Sequence, residues 1–597
     1  MTMLRSFAGR RDVLRQWRGA VRRHWLFAAV LACAAALRVV VQEAYRPALI
    51  FPDSERYLQY TQAFLTGTWA PDWLRTSGYS LLLIPAVLMH NLAVVVAAQH
   101  LLGLASAVLI YATLIHFGAR RWVATLATVP VLFDPLQLDI EQYVLTDVIA
   151  TFLVLAALVV LVWKRDAIGR AAPVAAGLLI GAATIIRESD LVVIIPAVLY
   201  LVVVVRPWRR RAVLVGLLLA GFLPPVLGYL GWHEVWYRSF DFVDYDSQFM
   251  YGRISQFADC SGVSLPTYEK SLCPRQPPAQ RDPNFYMWDP LSPQVVYRAP
   301  AGMNKSEIIA DFDRRIIEHQ PLAYLKAVAG DVLYSFSPVR GDGPEHYPAI
   351  YHQFLPYFRA DAQERATLQT YTGSGPHLQP TLARFLTDYG RYFWVPGPLL
   401  AGGLLLGLAG MAGGRRKRGV KERPKERPKE RQGASGLRGA CLLFALGTIA
   451  VVLPPFIIAD FDWRYELPQF SLIPVAAVLG WLSLTGAGKR AGEQTEQELQ
   501  AIVSDPDGGR LPDSGHAEDL PGRTGPRAPE AGPIGAERAQ RRDRLRRPRA
   551  RAAPDAGDAG RRPVTGRARE PGRGHHRRVA RAGADHGRSR HVGGTRR

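Results

Sequence analysis

Cysteine is scarce in this chain of 597 residues, which contains only four of them. So few cysteines exclude a disulfide-rich scaffold, and no group of cysteine and histidine has the spacing of a structural zinc site. Large apolar side chains are almost absent after about residue 490, where Arg, Gly, Pro, Ala and Asp predominate. The mean hydropathy of +0.00 therefore averages two unlike regions, and the chain is not a series of soluble domains.

Long apolar runs fill the region between about residues 25 and 485. A run of about 20 apolar residues can cross a bilayer as a helix, because a helix satisfies its own backbone hydrogen bonds. The first run also resembles a signal peptide, but the later runs favour its retention as a membrane helix. The pattern predicts about ten transmembrane helices. They lie near residues 25–42, 93–117, 122–135, 143–163, 171–187, 190–205, 211–232, 393–412, 438–459 and 468–486.

Basic residues in the short loops predict the orientation of these helices. Lys and Arg tend to stay on the cytoplasmic side, and the basic turns at 120–121, 164–170, 206–211 and 415–431 all fall on one side. The opposite side then receives residues 43–92 and a loop of about 160 residues. The predicted fold is an all-α polytopic protein of the plasma membrane with a large extracytoplasmic loop domain.

The same reading divides the chain into five parts. These are a basic cytoplasmic N-terminus (1–24), an N-terminal transmembrane catalytic bundle (25–232) with outer loop one at 43–92, an extracytoplasmic loop domain (233–392), C-terminal transmembrane helices (393–486) with a cytoplasmic linker at 413–437, and a basic tail (487–597). The tail is expected to be disordered beside the anionic inner leaflet, although a GC-rich gene read in an unintended frame would give a similar composition. It lacks interleaved aromatic residues, so no specific nucleic-acid binding is expected.

The cysteines agree with this topology. Cys260 and Cys273 both lie in the large outer loop, where an oxidising compartment would allow a short disulfide. Two free thiols are the alternative. Cys33 and Cys441 lie inside apolar runs and are expected to behave as small hydrophobic residues.

Acidic, basic and aromatic residues concentrate on the predicted outer face. Residues 51–83 are too polar to span a bilayer and too aromatic for a free linker, so they suit the headgroup region. Further charged residues are predicted at the same face: Asp139, Glu141, Asp147, Arg187, Asp460, Asp462 and Arg464. A carboxylate beside several arginines suits chemistry on a lipid phosphate. An interfacial helix with solvated acids and a transporter that binds an anionic solute are the alternatives.

Several short stretches, in order, resemble the GT-C class of integral-membrane glycosyltransferases. That class uses polyprenyl-phosphate-linked sugars, and the protein mannosyltransferase and aminoarabinose transferase branches are the most similar. The matching stretches are Pro52-Asp53-Ser54, Arg75-Thr76-Ser77-Gly78-Tyr79, Gln99-His100-Leu101-Leu102-Gly103, Val144-Leu145-Thr146-Asp147, the run GLLIGAATIIRESD with Arg187, and Arg464-Tyr465-Glu466-Leu467-Pro468.

The resemblance implies roles for particular residues. Asp53 would be the catalytic carboxylate, and Arg75, Arg187 and Arg464 would bind the lipid phosphate. Tyr79, Asp147 and Tyr465 complete the substrate-binding set that the resemblance implies. Some members of the class bind a divalent cation at the acid of loop one and others do not need one, so the metal requirement stays open.

The predicted function is transfer of a hexose or pentose from a polyprenyl-phosphate donor to an extracytoplasmic acceptor, such as a cell-wall glycan, a lipid or a protein. Its partners would be the lipid-linked sugar, that acceptor and the bilayer. The alternatives are a transporter or flippase for a lipid-linked or anionic solute, and a membrane scaffold without catalytic activity. Internal repeats with interrupted helices would favour a transporter, and the sequence has no such symmetry.

Overall fold

A computed structural model describes residues 22–164, 167–243, 246–342, 348–412 and 428–486. These residues belong to one compact unit. The predicted N-terminal segment up to residue 21, residues 413–427 of the predicted linker and the predicted tail from residue 487 lie outside the described residues. The described chain folds as an all-α polytopic membrane protein, as the apolar runs predict.

Helices account for nearly all of the regular structure. The α-helices are Trp25–Ala44, Pro52–Leu65, Gly78–Leu88, Ala93–His116, Arg121–Leu126, Val129–Phe133, Pro135–Gln142, Asp147–Trp163, Ala171–Ile186, Ile194–Val204, Trp208–Tyr237, Asp246–Ser255, Pro283–Trp288, Pro293–Val296, Lys305–His319, Pro321–Tyr334, Ala362–Thr372, Pro380–Tyr392, Gly397–Ala412, Pro428–Ile458 and Leu467–Thr485. Short 3-10 helices occupy Glu188–Val193, Lys270–Leu272, Pro278–Gln280, Ala349–His352 and Trp463–Glu466. Two strands, Tyr45–Arg46 and His377–Leu378, pair antiparallel.

The sequence predicts about ten membrane-spanning helices, but fewer helices of the structure are long and apolar enough to cross a membrane alone. Among the described residues there are five, or six if the bent pair Pro380–Tyr392 and Gly397–Ala412 forms one span. Three shorter apolar helices accompany them: Gly78–Leu88, Asp147–Trp163 and Ala171–Ile186. The predicted linker is also shorter than 413–437, because the helix Pro428–Ile458 begins inside it.

Prolines explain why the predicted span at 122–135 is not one helix. The segment divides into Arg121–Leu126 and Val129–Phe133, and Pro130 lies in the first turn of the second piece. Pro135 then begins another short helix. Proline has no backbone N–H and clashes with the preceding turn, so it suits the start of a helix and weakens an interior. Other helices of the chain tolerate interior prolines, such as Pro224 and Pro474. Apolar composition alone does not reveal this interruption.

Glycines allow two of the membrane helices to pack with their backbones in close approach. A Cβ atom at Gly177 would overlap the carbonyl oxygen of Leu218, and a Cβ at Gly221 would overlap that of Val174. The helices Ala171–Ile186 and Trp208–Tyr237 therefore meet through small residues, as membrane helices commonly do. Arg187 immediately follows the first of these two helices.

A buried polar network holds the short helix Pro135–Gln142 inside the bundle. Arg38 Nη2 lies 2.8 Å from Glu141 Oε1, and His100 Nδ1 lies 2.7 Å from Glu141 Oε2. Arg38 also donates to the carbonyl oxygens of Val131 and Leu132, at 3.0 and 2.9 Å. Charged groups are stable at membrane depth when they are paired in this way.

Between the helices Trp208–Tyr237 and Gly397–Ala412 lies a loop region, residues 238–396, close to the predicted loop domain 233–392. Its helices Asp246–Ser255 and Lys305–His319 pack around a small apolar core that includes Tyr251, Tyr286 and Phe312. Cys260 and Cys273 form a disulfide in this region, with their Cα atoms 6.2 Å apart. The loop region thus has a core of its own beside the bundle.

Candidate functional site

Asp53 lies in the first turn of the helix Pro52–Leu65. Pro52 suits the start of this helix because its missing N–H would be unpaired there in any case. A carboxylate in the first turn is also stabilised by the partial positive charge of a helix N-terminus. These local preferences place Asp53 at the start of the helix, directly after the buried residues 48–51.

Two arginines from distant parts of the chain hold the Asp53 carboxylate. Arg75 Nη2 donates to Oδ1 at 2.9 Å, and Arg464 Nη1 donates to Oδ2 at 2.9 Å. The three side chains are only 12–15% exposed. The guanidinium group of Arg75 also lies over the rings of Phe249 and Trp288, at 4.9 and 5.8 Å from their centroids. The loop region therefore contacts the carboxylate through Arg75.

The arginines determine the charge of Asp53. Burial by itself would raise the pKa of this carboxyl group, but Arg75 and Arg464 outweigh that effect and hold its pKa below the ordinary value. Asp53 is therefore ionised at any physiological pH. Because a carboxylate stabilised by two cations binds a proton weakly, it is a poor general base while both arginines remain bonded to it.

A second ion pair lies beside the first. Arg187 directly follows the helix Ala171–Ile186, and its Nη1 lies 2.9 Å from Oδ1 of Asp147, the first residue of the helix Asp147–Trp163. The ring of Tyr465 lies near both arginines, with its centroid 5.2 Å from the guanidinium carbon of Arg187 and 5.4 Å from that of Arg464. Tyr465 thus links the two ion pairs.

Six of the seven residues that the resemblance implicates line one cavity of about 280 Å³. These six are Asp53, Arg75, Asp147, Arg187, Arg464 and Tyr465. The cavity, called here the arginine cavity, also has an apolar wall formed by Ile186, Leu191, Val192, Pro454, Pro455 and Ile458. Five separate chain segments therefore supply an ionic centre that opens onto apolar side chains.

A second cavity, of about 440 Å³, meets the arginine cavity at Asp53, Arg75, Arg464 and Tyr465. Its other lining residues are mostly polar or aromatic and include Glu55, Gln59, Asn284, Trp288, Gln363, Asp460 and Asp462. We call it the polar cavity. Three of these residues, Asn284, Trp288 and Gln363, come from the loop region. Asp53 therefore lines both an apolar-walled cavity and a polar one.

Tyr79 does not line either cavity. It is fully buried, its hydroxyl group donates to Gln99 Oε1 at 2.9 Å, and its ring contacts that of Tyr57 edge-on. Gln99 in turn donates to the carbonyl oxygens of Glu141 and Tyr143. Tyr79 and Gln99 thus position the segment that leads to Asp147, and contact with a substrate stays a prediction for Tyr79.

The other acids of the predicted outer face have different surroundings. Glu141 is bonded inside the bundle to Arg38 and His100, and Glu55 accepts from Gln363 and, at 3.1 Å, from Thr367. Asp462 lies 2.6 Å from His352 and 3.0 Å from Arg464. Only some of the charges that the sequence places at one membrane face therefore meet around Asp53.

The residues around Asp53 do not fit a metal ion. Both oxygens of Asp53 are bonded to guanidinium groups, and the described part of the chain contains no group of three or more His, Cys, Asp or Glu residues that could hold one. Hard divalent cations need several oxygen ligands. No step of the proposed reaction is therefore assigned to a metal.

Sequence reasoning missed several lining residues. Tyr57 lies four residues after Asp53 on the same helix, and this spacing would have placed it on the same face. Phe249, Asn284 and Trp288 line the polar cavity from a segment about two hundred residues further along the chain. No motif or periodicity marks them.

Comparisons with known proteins bear on part of this site. Residues 87–235 match the family model of dolichyl-phosphate-mannose-protein mannosyltransferase. The predicted resemblance to polyprenyl-phosphate-dependent mannosyltransferases is confirmed by this match. The matched segment contains Asp147 and Arg187, whereas Asp53, Arg75 and Arg464 lie outside it.

One solved structure is similar to part of the chain. It is that of the Saccharomyces cerevisiae protein O-mannosyltransferase Pmt1–Pmt2 complex bound to the sugar donor, at 16% sequence identity and a TM-score of 0.30. The similarity covers 41% of this chain and 37% of that one. A likeness at this level has no weight for function. No curated protein sequence matches the chain.

Proposed function

We propose that this protein is a membrane glycosyltransferase that moves a sugar from a polyprenyl-phosphate donor to an acceptor hydroxyl group. The observation that carries the proposal is the meeting of Asp53 with three arginines in one cavity that has an apolar wall. Arginine binds phosphate through paired hydrogen bonds, and the wall suits the first units of a polyprenyl chain. The mannosyltransferase family match over residues 87–235 supports the same donor class. The donor sugars to test are therefore hexoses, beginning with mannose.

Charge balance in the arginine cavity indicates how the donor binds. Within the cavity, Arg75, Arg187 and Arg464 face the carboxylates of Asp53, Asp147 and Glu188, and Arg464 also lies 3.0 Å from Asp462 outside it. An incoming phosphate brings further negative charge, and Asp53 already occupies N–H groups of Arg75 and Arg464, so we infer that the phosphate displaces Asp53 from them. The donor phosphate therefore competes with Asp53 for Arg75 and Arg464.

This competition gives Asp53 its role in the reaction. While both arginines are bonded to it, Asp53 is a weak base. When the donor phosphate takes over those hydrogen bonds, the pKa of Asp53 rises and its oxygens become available to an acceptor hydroxyl group. The hydroxyl oxygen then attacks C1 of the sugar, its proton passes to Asp53, and the lipid phosphate leaves with the arginines neutralising its charge.

The experiment uses the full chain in liposomes with a polyprenyl-phosphate-linked labelled sugar and a mixture of acceptors. Wild-type protein should release lipid phosphate and label an acceptor. Arg187→Ala should weaken donor binding at least tenfold, because it removes a charged hydrogen-bond donor to the phosphate. Arg391→Ala, which removes an arginine from an exposed ion pair outside both cavities, is the matched control. Movement of intact lipid-linked sugar across the bilayer without transfer would support the transporter alternative instead.

We also propose that the site faces the extracytoplasmic side of the plasma membrane, as the basic loops favour. Ser374 in the loop region and Gly169 in a turn between apolar helices are both exposed. After Cys33 and Cys441 are replaced by serine, a cysteine at position 374 should react with an impermeant thiol reagent in intact cells, and one at position 169 should not. The reverse pattern would contradict the orientation.

A further inference from the structure

The polar cavity differs in chemistry from the arginine cavity, although both meet Asp53. Carboxamide groups from Gln59, Asn284 and Gln363 line it, together with the carboxyl group of Asp460. Carboxamides donate and accept hydrogen bonds at the same time, and this matches hydroxyl groups, which do the same. The lining therefore suits a ligand with several hydroxyl groups.

The charged residues of this cavity already have partners within the protein. Arg56 Nε lies 2.6 and 2.8 Å from the two carboxylate oxygens of Asp72. Asp462 lies beside His352 and Arg464, and Glu55 accepts from Gln363 and Thr367. Since Arg56 and Asp462 are paired with opposite charges and the Glu55 carboxylate already accepts two hydrogen bonds, the cavity favours a neutral ligand over an ionic one.

Asp460 adds a group that can both donate and accept. It is 4% exposed and accepts from Asn284 Nδ2 at 3.3 Å. Burial raises the pKa of Asp460 well above its ordinary value, although Arg253 opposes this effect. A raised pKa favours the uncharged form of this carboxyl group, which can donate as well as accept a hydrogen bond.

Aromatic surface completes the lining. Trp288 is 40% exposed and lies beside Arg75, with Phe249 next to it. An indole ring has an apolar face and a polar N–H edge. Its apolar face suits the C–H face of a sugar ring. A volume of about 440 Å³ is in the range of small-molecule sites.

An extended peptide is a poorer fit. Peptides commonly bind by adding a strand to an exposed sheet edge. Within the described ranges the strands are Tyr45–Arg46 and His377–Leu378, and neither lines the polar cavity. The groups that converge there are side chains, and they lack the regular spacing that a peptide backbone needs.

We propose that the polar cavity binds a neutral saccharide as the acceptor, and that Asn284, Trp288 and Gln363 of the loop region select it. This inference rests on the proposed function, since it assigns the acceptor of the same reaction. An acceptor sugar in this cavity would place a hydroxyl group next to Asp53, which lines both cavities. The loop region is then the part of the chain that determines which glycan is extended.

The test compares acceptors and variants in liposomes that contain the full chain and the polyprenyl-phosphate sugar donor. The acceptors are a panel of neutral oligosaccharides of hexoses and pentoses, and a threonine-rich peptide. Transfer should occur to a saccharide. Asn284→Ala and Gln363→Ala should each raise its KM about tenfold while donor affinity stays constant, and Trp288→Ala, whose ring lies beside Arg75, should raise the same KM. Gln369→Ala, an exposed glutamine on the same helix as Gln363 that lines neither cavity, should change nothing.

Direct binding separates the two proposals. Quenching of tryptophan fluorescence by the same saccharides needs no donor, and it should be lost in Trp288→Ala and weakened in Asn284→Ala. Binding that persists without any sugar transfer would overturn the proposed function and leave the saccharide site standing. Transfer to the peptide alone, or an unchanged saccharide KM in all three variants, would overturn the saccharide site while the transferase function stands.

Discussion

Replacing Asp53 by asparagine separates the role of its charge from that of its shape. The amide can still accept one hydrogen bond from Arg75 or Arg464, so the local packing should survive. It can neither accept a proton from an acceptor nor neutralise the two arginines. We therefore expect two opposite effects, a slower reaction and a tighter complex with the donor.

The size of each effect follows from the site. Loss of a positioned general base typically lowers a rate by about a hundredfold to ten-thousandfold. Two like unit charges 4 Å apart repel by about 4 kcal/mol at an effective dielectric constant of 20. A donor phosphate that shares Arg75 and Arg464 with Asp53 experiences repulsion of this kind, partly screened because the side chains are 12–15% exposed. We expect donor affinity to increase by about tenfold to a hundredfold.

The assay measures binding of a fluorescent polyprenyl phosphate and transfer of labelled sugar with the same purified protein. Asp72→Asn is the matched control, because it removes a buried carboxylate that is bonded to Arg56 and lines neither cavity. Its donor affinity should equal that of the wild type. Weaker donor binding by Asp53→Asn, or a transfer rate equal to wild type, would refute the competition between Asp53 and the phosphate.

Two further predictions concern stability. Burial raises the pKa of Asp190 to about 7 although Arg187 lies nearby, so the folded state binds this proton more tightly than the unfolded state, whose pKa is about 3.9. The contribution of Asp190 to the stability of the fold is thus fully present below about pH 4 and is lost as the pH rises to about 7. Asp190→Asn should therefore raise the melting temperature at pH 8 but not at pH 4. An equal rise at both pH values would contradict this prediction. A Cβ at Gly103 would overlap the Glu141 carboxylate, so Gly103→Ala should destabilise by about 1 to 3 kcal/mol in thermal unfolding. Gly228→Ala, inside a helix and with nothing within 4 Å of the added atom, is the control and should stabilise slightly, because alanine is the better helix former.

That the chain is a membrane protein could be predicted from composition, because apolar runs of about 20 residues are typical of transmembrane helices. The number of spans could not, since Pro130 and Pro135 interrupt one run and a 3-10 helix precedes Ile194–Val204. Breaks of this kind change backbone geometry without changing hydropathy.

The candidate site shows a similar division. Asp53 and Arg187 could be singled out because charged residues are costly at a membrane face and a resemblance placed them in order. The resemblance could not distinguish residues of the cavity from those that support it, and it grouped Tyr79 with Arg75 although only Arg75 lines the cavity. Arg75 and Tyr79 occur within one short stretch of sequence, so a resemblance in that stretch includes the two residues alike.

The sequence by itself determined that the chain is a helical membrane protein, which residues carry charge near its predicted outer face, and which family it resembles. Only the tertiary structure decided that Asp53 lies between Arg75 and Arg464, residues separated from it by 22 and 411 positions. It also decided that Asn284 and Trp288 line a second cavity, which Asp53 lines as well. The physical reason is that ion pairs and cavity walls depend on distances in space. Helix packing and the fold of the loop region set these distances, and local patterns of hydropathy and charge do not encode them.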